Sequence, residues 1–415
     1  MTETDALDDD LDVFERFNRA MGQGVVTDPY PSFATLRADH VVPMDLRYHM
    51  GRHDDEGDVD VALPVVLTAA SFEAVHEVLR DGTRFSSAGY ADVMGPVMGR
   101  TILQMDEPEH QSYRRLILQA FTRRAMERWE VELVRPIVDR HLDAVLAASE
   151  DRAELVRQFT FPFPLDVIAG LFALPEDQHW RFHRLAVAVI SVSVDAEGAL
   201  RASQELADLL LPLIDERRGA PGDDLISLLA HAEHEGQRLT DDEILAFCRL
   251  LLPAGAETTY RSSSNLLVGL LTHPDQLDAV RSDRRLIPQA IEEGLRWEPP
   301  LLTIMRTAAV DTEVCGVPIP QGAVIVVNLG AANRDDRRWH DPERFDIFRS
   351  PQPHVAFASG PHVCLGMHLS RLETQCALEG MFERLPNLRL DPDAEPPAIT
   401  GHTFRSPAAI HVVFG

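Results

Sequence analysis

Positive charge is scarce in this sequence: Lys plus Arg total 39 against 66 Asp plus Glu, a formal net charge of -27. An average field of that sign opposes nonspecific attachment to nucleic acid or to an anionic membrane, although a compact basic patch is compatible with it. Long apolar runs are missing too. A membrane span needs about 18 consecutive apolar residues, and the most apolar stretch, LAVAVISVSV at 185–194, is shorter and flanked by charge. The N-terminal MTETDALDDDLDVFERF has neither a positive start nor an apolar core, so it does not read as a secretory peptide. The expectation is a cytoplasmic protein with no membrane anchor and no nucleic acid partner. Cysteines number 4, and Cys248, Cys315, Cys364 and Cys376 form no C-x-x-C pair and no secreted-type framework. There is no internal repeat and no long Gly/Ser linker. With 45% hydrophobic and 25% charged residues over 415 positions, the composition is that of a globular chain with enough length for a large core.

What is present is mostly helical pattern. Residues 1–24 read as an acidic N-terminal arm, carrying Glu3, Asp5, Asp8, Asp9, Asp10, Asp12 and Glu15, and 25–415 as one domain. Residues 29–43 suggest a short helix with turns at both ends, 60–68 (DVALPVVLT) a strand, and 71–81 a helix with Ser71 as its cap. The stretch 82–100, with Gly82, Gly89, Gly95 and Gly99 among Val, Met and Tyr, reads as an apolar, irregular, pocket-lining loop. Helical periodicity then dominates through 107–121, 123–149 and 177–215. The longest helix, 241–272, opens on the capping-box spacing Thr240 to Glu243 and stops at His273-Pro274. Its middle reads PAGAETT. Pro253 removes an amide donor there, so a kink or opened turn is expected, either as a site or as a harmless bend. A helix over 286–298 ends at Pro299-Pro300, short antiparallel strands follow, and a Pro- and charge-rich meander over 331–363 leads to a last helix over 365–383.

The segment FASGPHVCLGMHLSRLE places Cys364 immediately before that last helix, where backbone N–H groups and the helix dipole favour a thiolate. Phe357, Gly360, His362, Cys364 and Gly366 resemble the proximal loop of the cytochrome P450 family, F-G-x-G-x-H-x-C-x-G, in its soluble bacterial form. The chain departs from that pattern at Ala358. Three other segments share the likeness: Glu293 and Arg296 of EEGLRW, Arg349 of PERFDIFR, and Ala254 to Thr259 of AGAETT. The resemblance implies a mainly α fold with small antiparallel β-sheets, in which haem b (iron protoporphyrin IX) lies between the long distal helix and the cysteine loop. It implies Cys364 as the iron ligand, with Phe357 packed near it, because a thiolate donates electron density that favours O–O cleavage. It implies His110, Arg114, Arg306 and His362 as partners of the haem propionates, His110 and Arg114 being four apart on one helix face. Glu293, Arg296 and Arg349 are implied as a structural network holding the meander.

On the distal side the resemblance implies Glu257 and Thr258 as an acid and a hydroxyl relaying protons to dioxygen, whereas the residues alone leave Thr258 equally able to bond its own backbone. The substrate wall carried over from the family is Tyr90, Val93, Met94, Val97, Met98, Val189, Val192, Ala254, Leu301, Leu302, Ile304, Met305 and Phe404. It is nearly all apolar and suits a terpenoid, steroid, fatty acid or macrolide-like compound. No G-x-G-x-x-G follows a strand, so electrons are expected from a ferredoxin and its NAD(P)H-dependent ferredoxin reductase. Arg114, Arg115, Arg123, Arg124, Arg128 and Arg135 cluster in one segment, and with Arg114 taken by a propionate the others are expected to give that ferredoxin a positive docking patch, the alternative being a solvated helix face paired with Glu127, Glu130 and Glu132. The function expected is a haem-thiolate monooxygenase, hydroxylating a C–H bond. A peroxide-driven peroxygenase and a haem-based ligand carrier or sensor are the alternatives.

Overall fold

Residues 15, 18–19, 22–44, 65–149, 151–192 and 195–415 are described in the computed structural model. Helix α1 (Tyr30–Arg37) has proline in its first turn, where a missing N–H costs nothing. In α2 (Phe72–Arg80) the Ser71 side chain accepts the Ala74 N–H, and Ala74, Val75, Val78 and Leu79 form the buried stripe. Then come α3 (Tyr90–Met98), α4 (Glu109–Leu118), α5 (Arg135–Ala148), α6 (Pro162–Leu171), α7 (His179–Ile190) and α8 (Ala196–Gly219). Helix α9 (Asp241–Leu251) begins with the expected capping box, Thr240 bonding the Glu243 N–H and Glu243 the Thr240 N–H. It runs through a widened π-turn, Leu252–Glu257, into α10 (Thr258–Leu271). Helix α11 (Ile287–Trp297) and the final α12 (Met367–Arg384) complete the frame that positions the site. No helix among the described residues is long and apolar enough to cross a membrane.

The main sheet lies beside this helical body. Strands β1 (Val41–Pro43), β2 (Val66–Ala69) and β3 (Phe85–Ser86) come early, and β7 (Thr303–Ala308) and β10 (Val324–Asn328) late. Between them in the chain, β4 (Arg152–Glu154) pairs with the C-terminal residues His411–Val413, and β5 (Glu233–His234) with β6 (Gln237–Arg238). The hairpin β8 (Thr312–Val314) to β9 (Val317–Ile319) stands apart. The five-stranded order is β1-β2-β10-β7-β3, and within it only β2 and β10 run parallel. A large apolar core joins the helices, and a second one packs α2 against the sheet through Val75, Val78, Leu67, Ile325 and Val327.

Three expectations need correction. The segment 82–100 contains the helix α3, with Pro96 inside it, because Val97 and Met98 gain burial that outweighs poor glycine and proline propensity. The strand expected at 60–68 is described only from Val66, and 60–64 lie outside the described residues. The end of the acidic arm is only partly solvated: Asn18 is buried and accepts from Arg261, and the Gly24 N–H donates to Thr400 Oγ1 at 2.9 Å, while Arg19 stays exposed. The described part of 1–24 is thus docked on the body, with no break at residue 24.

Candidate active site

The cysteine loop is shaped by contacts a side chain would obstruct. Gly360 has φ 75°, and a Cβ there would stand 2.8 Å from Arg80 Cα at the end of α2. Ala358, where the resemblance predicts glycine, is itself left-handed at φ 57°. The Cys364 N–H donates to Phe357 O at 3.0 Å, closing the loop ahead of α12. Burial pushes the Cys364 thiol up, opposed by backbone N–H donation from Gly366 and Met367 and by the Arg114 and Arg371 guanidinia. Arg371 lies 4.5 Å over the Phe357 ring and grips Glu292 at 2.6 and 2.9 Å.

Four donors meet beside this loop. The His110 and His362 rings stack with centroids 3.9 Å apart. His362 accepts or donates at Ser87 Oγ, 3.2 Å away, and burial together with the charges of His110, Arg306 and Arg114 lowers it to about 3, so it is neutral. His110 is fully buried, its Nδ1 on Glu107 at 3.2 Å and its Nε2 without a partner. Arg114 donates to Val363 O at 2.7 Å and Arg306 to Met305 O at 2.7 Å. Burial lowers both guanidinium pKa values, and among the described residues neither has a carboxylate within ion-pair distance. Two half-buried to buried arginines with no carboxylate at ion-pair distance, next to an orphaned imidazole nitrogen, are a poor arrangement unless an anionic group sits among them. The two propionates of haem fit that need.

Across the body, the π-turn opens the distal helix where Pro253 cannot donate. Thr258 Oγ1 donates to Ala254 O at 2.7 Å, a back-bond to the carbonyl one turn earlier. Ala254 is exposed and Gly255 and Thr258 half-buried, inside a helix whose remaining residues are mostly buried. Glu257, expected as the acid of the relay, has a partner that the motif does not include. It is fully buried and ion-paired with Arg261 at 2.8 Å, and Arg261 also donates to Ser406 Oγ at 2.9 Å and Asn18 Oδ1 at 2.6 Å. Burial pushes the Glu257 carboxyl up and Arg261 pulls it back. The four-residue spacing of Glu257 and Arg261 was a readable sign of this pairing.

The family profile described as Cytochrome P450 matches residues 189–408. The monooxygenase PikC of Streptomyces venezuelae is 36% identical over 384 residues, 90% of this chain and 87% of that protein. The chain belongs to the cytochrome P450 family. The steroid C26-monooxygenase of Mycolicibacterium smegmatis is 36% identical over 83% of this P450 and 87% of its own length. Among solved structures, CYP109E1 from Bacillus megaterium with testosterone matches at TM-score 0.81 and 28% identity, covering 94% of this chain and 99% of that one. CYP109Q5 from Chondromyces apiculatus matches at 0.82 and 32%, covering 94% and 95%. This P450 is therefore a haem-thiolate monooxygenase, dependent on redox partners and acting on hydrophobic substrates.

The structure also sorts the remaining expected residues of the P450. Glu293 holds Arg296 at 2.7 and 2.8 Å, lies 3.5 Å from Arg349, and accepts the Asp346 N–H at 2.8 Å. Arg296 extends to the carbonyls of Asn333, Pro342 and Arg344, tying α11 to the meander. Of the expected wall, Val97, Met98, Val189 and Leu302 are 0–3% exposed and belong to the packed core, since a wall residue must keep surface open to a ligand. Tyr90, Val93, Met94, Val192, Ala254, Leu301, Ile304, Met305 and Phe404 keep such surface. Tyr90 also accepts the Met305 N–H at 3.0 Å, tying α3 to β7. Within the expected arginine patch three of the six pair with carboxylates, Arg123 with Glu127, Arg128 with Asp223 and Arg135 with Glu130 and Glu379, while Arg114, Arg115 and Arg124 form no ion pair among the described residues. Ser87 and Arg371 were missed by sequence reasoning, because their partners His362, Phe357 and Glu292 are distant or unremarkable in sequence.

Proposed function

We propose that this P450 holds haem b through the Cys364 thiolate and inserts one atom of dioxygen into a C–H bond of a hydrocarbon-rich molecule of the terpenoid, steroid, fatty acid or macrolide-like class. Its electrons come from a ferredoxin reduced by an NAD(P)H-dependent ferredoxin reductase. The observation that carries this reading is the convergence of His110, Arg114, Arg306 and His362 beside Cys364 with no carboxylate to satisfy the arginines. When bound, haem supplies a redox-active iron that activates dioxygen under thiolate donation. The chain's own residues do the rest. Gly366 and Met367 N–H groups hold the Cys364 sulfur, and restrain how much electron density it gives away. Arg114 and Arg306 bind the propionates, with His110 Nε2 and His362 as further donors or acceptors on that edge. Ala254 leaves space at the π-turn, Gly255 lets the turn pack closely on Ile168 and Leu251, and the Thr258 hydroxyl, on Ala254 O at 2.7 Å, holds a transferable proton at its edge. Glu257, engaged by Arg261, positions the turn. The open apolar wall, from Val93 on α3 to Met305 on β7, favours hydrocarbon by about 0.8 kcal/mol per enclosed methylene.

The test is Thr258→Ala, assayed with dioxygen and reduced ferredoxin, with hydrogen peroxide, and for ligand-induced haem spectral shift alone. Product formation with dioxygen falls by about 100-fold, the lower end of what a positioned proton donor contributes. Haem content and the spectral shift persist, and consumed electrons appear as peroxide. Unchanged product per electron would remove Thr258 from proton delivery. A parent enzyme that turns over on peroxide but not with ferredoxin is a peroxygenase, and one that binds ligand without product is a carrier.

A further inference from the structure

On the sheet side of the protein, one cluster of donors is unused by the oxygenase site. His40, Glu73 and Cys315 each present one ligand atom, and these three atoms all lie within 4.8 Å of one another. They arrive from three separate segments: the turn after α1, the first turn of α2, and the tip of the β8–β9 hairpin. The set is an imidazole nitrogen, a carboxylate oxygen and a sulfur.

Two further observations make the arrangement more than proximity. Cys315 occupies the first corner of a two-residue turn between Val314 and Val317, at φ 49°, with Gly316 following at φ 79°. That is type I′ hairpin geometry, whose first corner favours Asn, Asp or Gly. A cysteine placed there has left the residue types that suit the backbone, and the turn brings its thiol to α2, where Glu77 accepts the Cys315 N–H at 3.1 Å and lies 3.8 Å from Sγ. His40, likewise left-handed at φ 60°, has Nδ1 2.9 Å from Ser71 Oγ, the hydroxyl that caps α2. A ring held at Nδ1 by a neighbouring oxygen leaves Nε2 as the coordinating nitrogen, the usual support of a metal-bound histidine. In this structure Arg337 Nη1 lies 3.1 Å from that Nε2, so a cation already occupies the mouth of the cluster. Arg337 is half exposed and is held through its other nitrogens by Asp335 at 3.3 Å and by the Arg37 carbonyl, so zinc has to displace only the Nη1 contact with the ring.

We propose that His40 Nε2, Glu73 and Cys315 Sγ bind one Zn²⁺, with a water as fourth ligand, as a structural clip between α2, the turn after α1 and the β8–β9 hairpin. Tetrahedral zinc with about 2.0 Å bonds to N and O and about 2.3 Å to S needs ligand atoms about 3.3–3.5 Å apart, a contraction to which the exposed Glu73 side chain can contribute. Binding is an exchange without redox change: the Cys315 S–H bond breaks, its proton leaves to water, and the S–Zn bond forms. The thiolate and Glu73 together balance the charge of Zn²⁺, and Glu77, paired with Arg84 at 3.1 Å, stays outside the coordination.

The experiment uses holoprotein, in which haem keeps Cys364 occupied, stripped with EDTA and dialysed to equilibrium against Zn²⁺. The comparison is Cys315→Asn, a residue the I′ corner accepts, so the variant folds. The parent is expected to bind one more zinc than Cys315→Asn, and that site weakens by about 100-fold or more in His40→Asn, beyond the loss typical of outer-shell changes. X-ray absorption at the zinc edge is expected to show one sulfur at about 2.3 Å in the parent and none in Cys315→Asn. Equal zinc binding by parent and Cys315→Asn, or a zinc shell without sulfur, overturns the site. Haem content and the carbon monoxide spectrum are unchanged in either variant, so failure here is separate from failure of the oxygenase reading.

Discussion

Glu293→Ala is expected to cost this P450 its haem environment, although Glu293 touches no part of it. Glu293 and Arg296 are 5% and 2% exposed, so the pair is desolvated. Removing the carboxylate strands a buried guanidinium that keeps only the carbonyls of Asn333, Pro342 and Arg344, at 3.2, 2.8 and 3.1 Å. Breaking a buried pair from one side costs about 3–5 kcal/mol. The Asp346 N–H also loses its acceptor at 2.8 Å, a further 1 kcal/mol or about that. The sum of about 4–6 kcal/mol is a large part of the 5–15 kcal/mol, roughly, that holds a folded chain. The loss concentrates where Arg296 ties α11 to the meander, the segment that leads directly into the Cys364 loop. Urea unfolding, followed by far-ultraviolet circular dichroism and by haem absorbance, is expected to show an earlier midpoint, with haem lost first. The red-shifted carbon monoxide band of thiolate-ligated ferrous haem shrinks accordingly. Glu293→Ala with Arg296→Met, which removes the stranded charge, recovers part of the loss. An unfolding free energy within about 1 kcal/mol of the parent, with the full carbon monoxide band, would refute the reasoning.

Gly360→Ala is expected to destabilise the holoprotein by about 2–4 kcal/mol, because φ 75° and the backbone of Leu79 and Arg80 both exclude a Cβ. Ala358→Gly, at φ 57°, is expected to gain about 1 kcal/mol. Thermal melts of both holoproteins check this pair, and a lower melting point for Ala358→Gly contradicts it. Asp166→Asn tests a pH dependence. Burial raises the Asp166 carboxyl, but the His141 hydrogen bond at 2.7 Å and the His183 ring nitrogen 2.9 Å away more than reverse this and hold it well below the usual range. A depressed folded value stabilises above the unfolded pKa of about 3.9 and is lost as pH falls through the folded one. The variant is therefore expected to lose about 3 kcal/mol at pH 7 and progressively less below about pH 4. Urea midpoints from pH 7 to pH 2 decide, and a constant difference rules the account out.

Features whose partners lie within a turn or two of chain were readable without coordinates. The Ser71 and Thr240 caps, the proline stops after Trp297 and Thr272, and the Glu293–Arg296 pair all follow from side chains reaching their own helix. The opened turn at Pro253 follows from the absence of one N–H. The iron-ligating candidate Cys364 was legible for the same reason: its loop and the helix behind it are contiguous in sequence, and so is the likeness they carry.

Tertiary structure decided what depends on where distant segments meet. Val97 and Met98 became helix and core because burial outweighed the glycines and proline around them. Leu302 and Val189 are as apolar as Met305 and Val192, yet only packing tells a core face from an open wall. Along the arginine segment, Asp223 and Glu379 cancel charges that no local pattern pairs with them, since screening by a neighbour depends on distance in space. Glu257 was within reach of Arg261 by spacing alone, but its burial depends on Asn18 and Ser406, from opposite ends of the chain. Sequence thus determined most of the helices that frame the site, their caps and proline stops, and the family likeness of this P450, because those rest on short-range geometry. Which charges stay free and which apolar faces stay open was left to the fold, because desolvation and Coulomb attraction act through space and are indifferent to order along the chain.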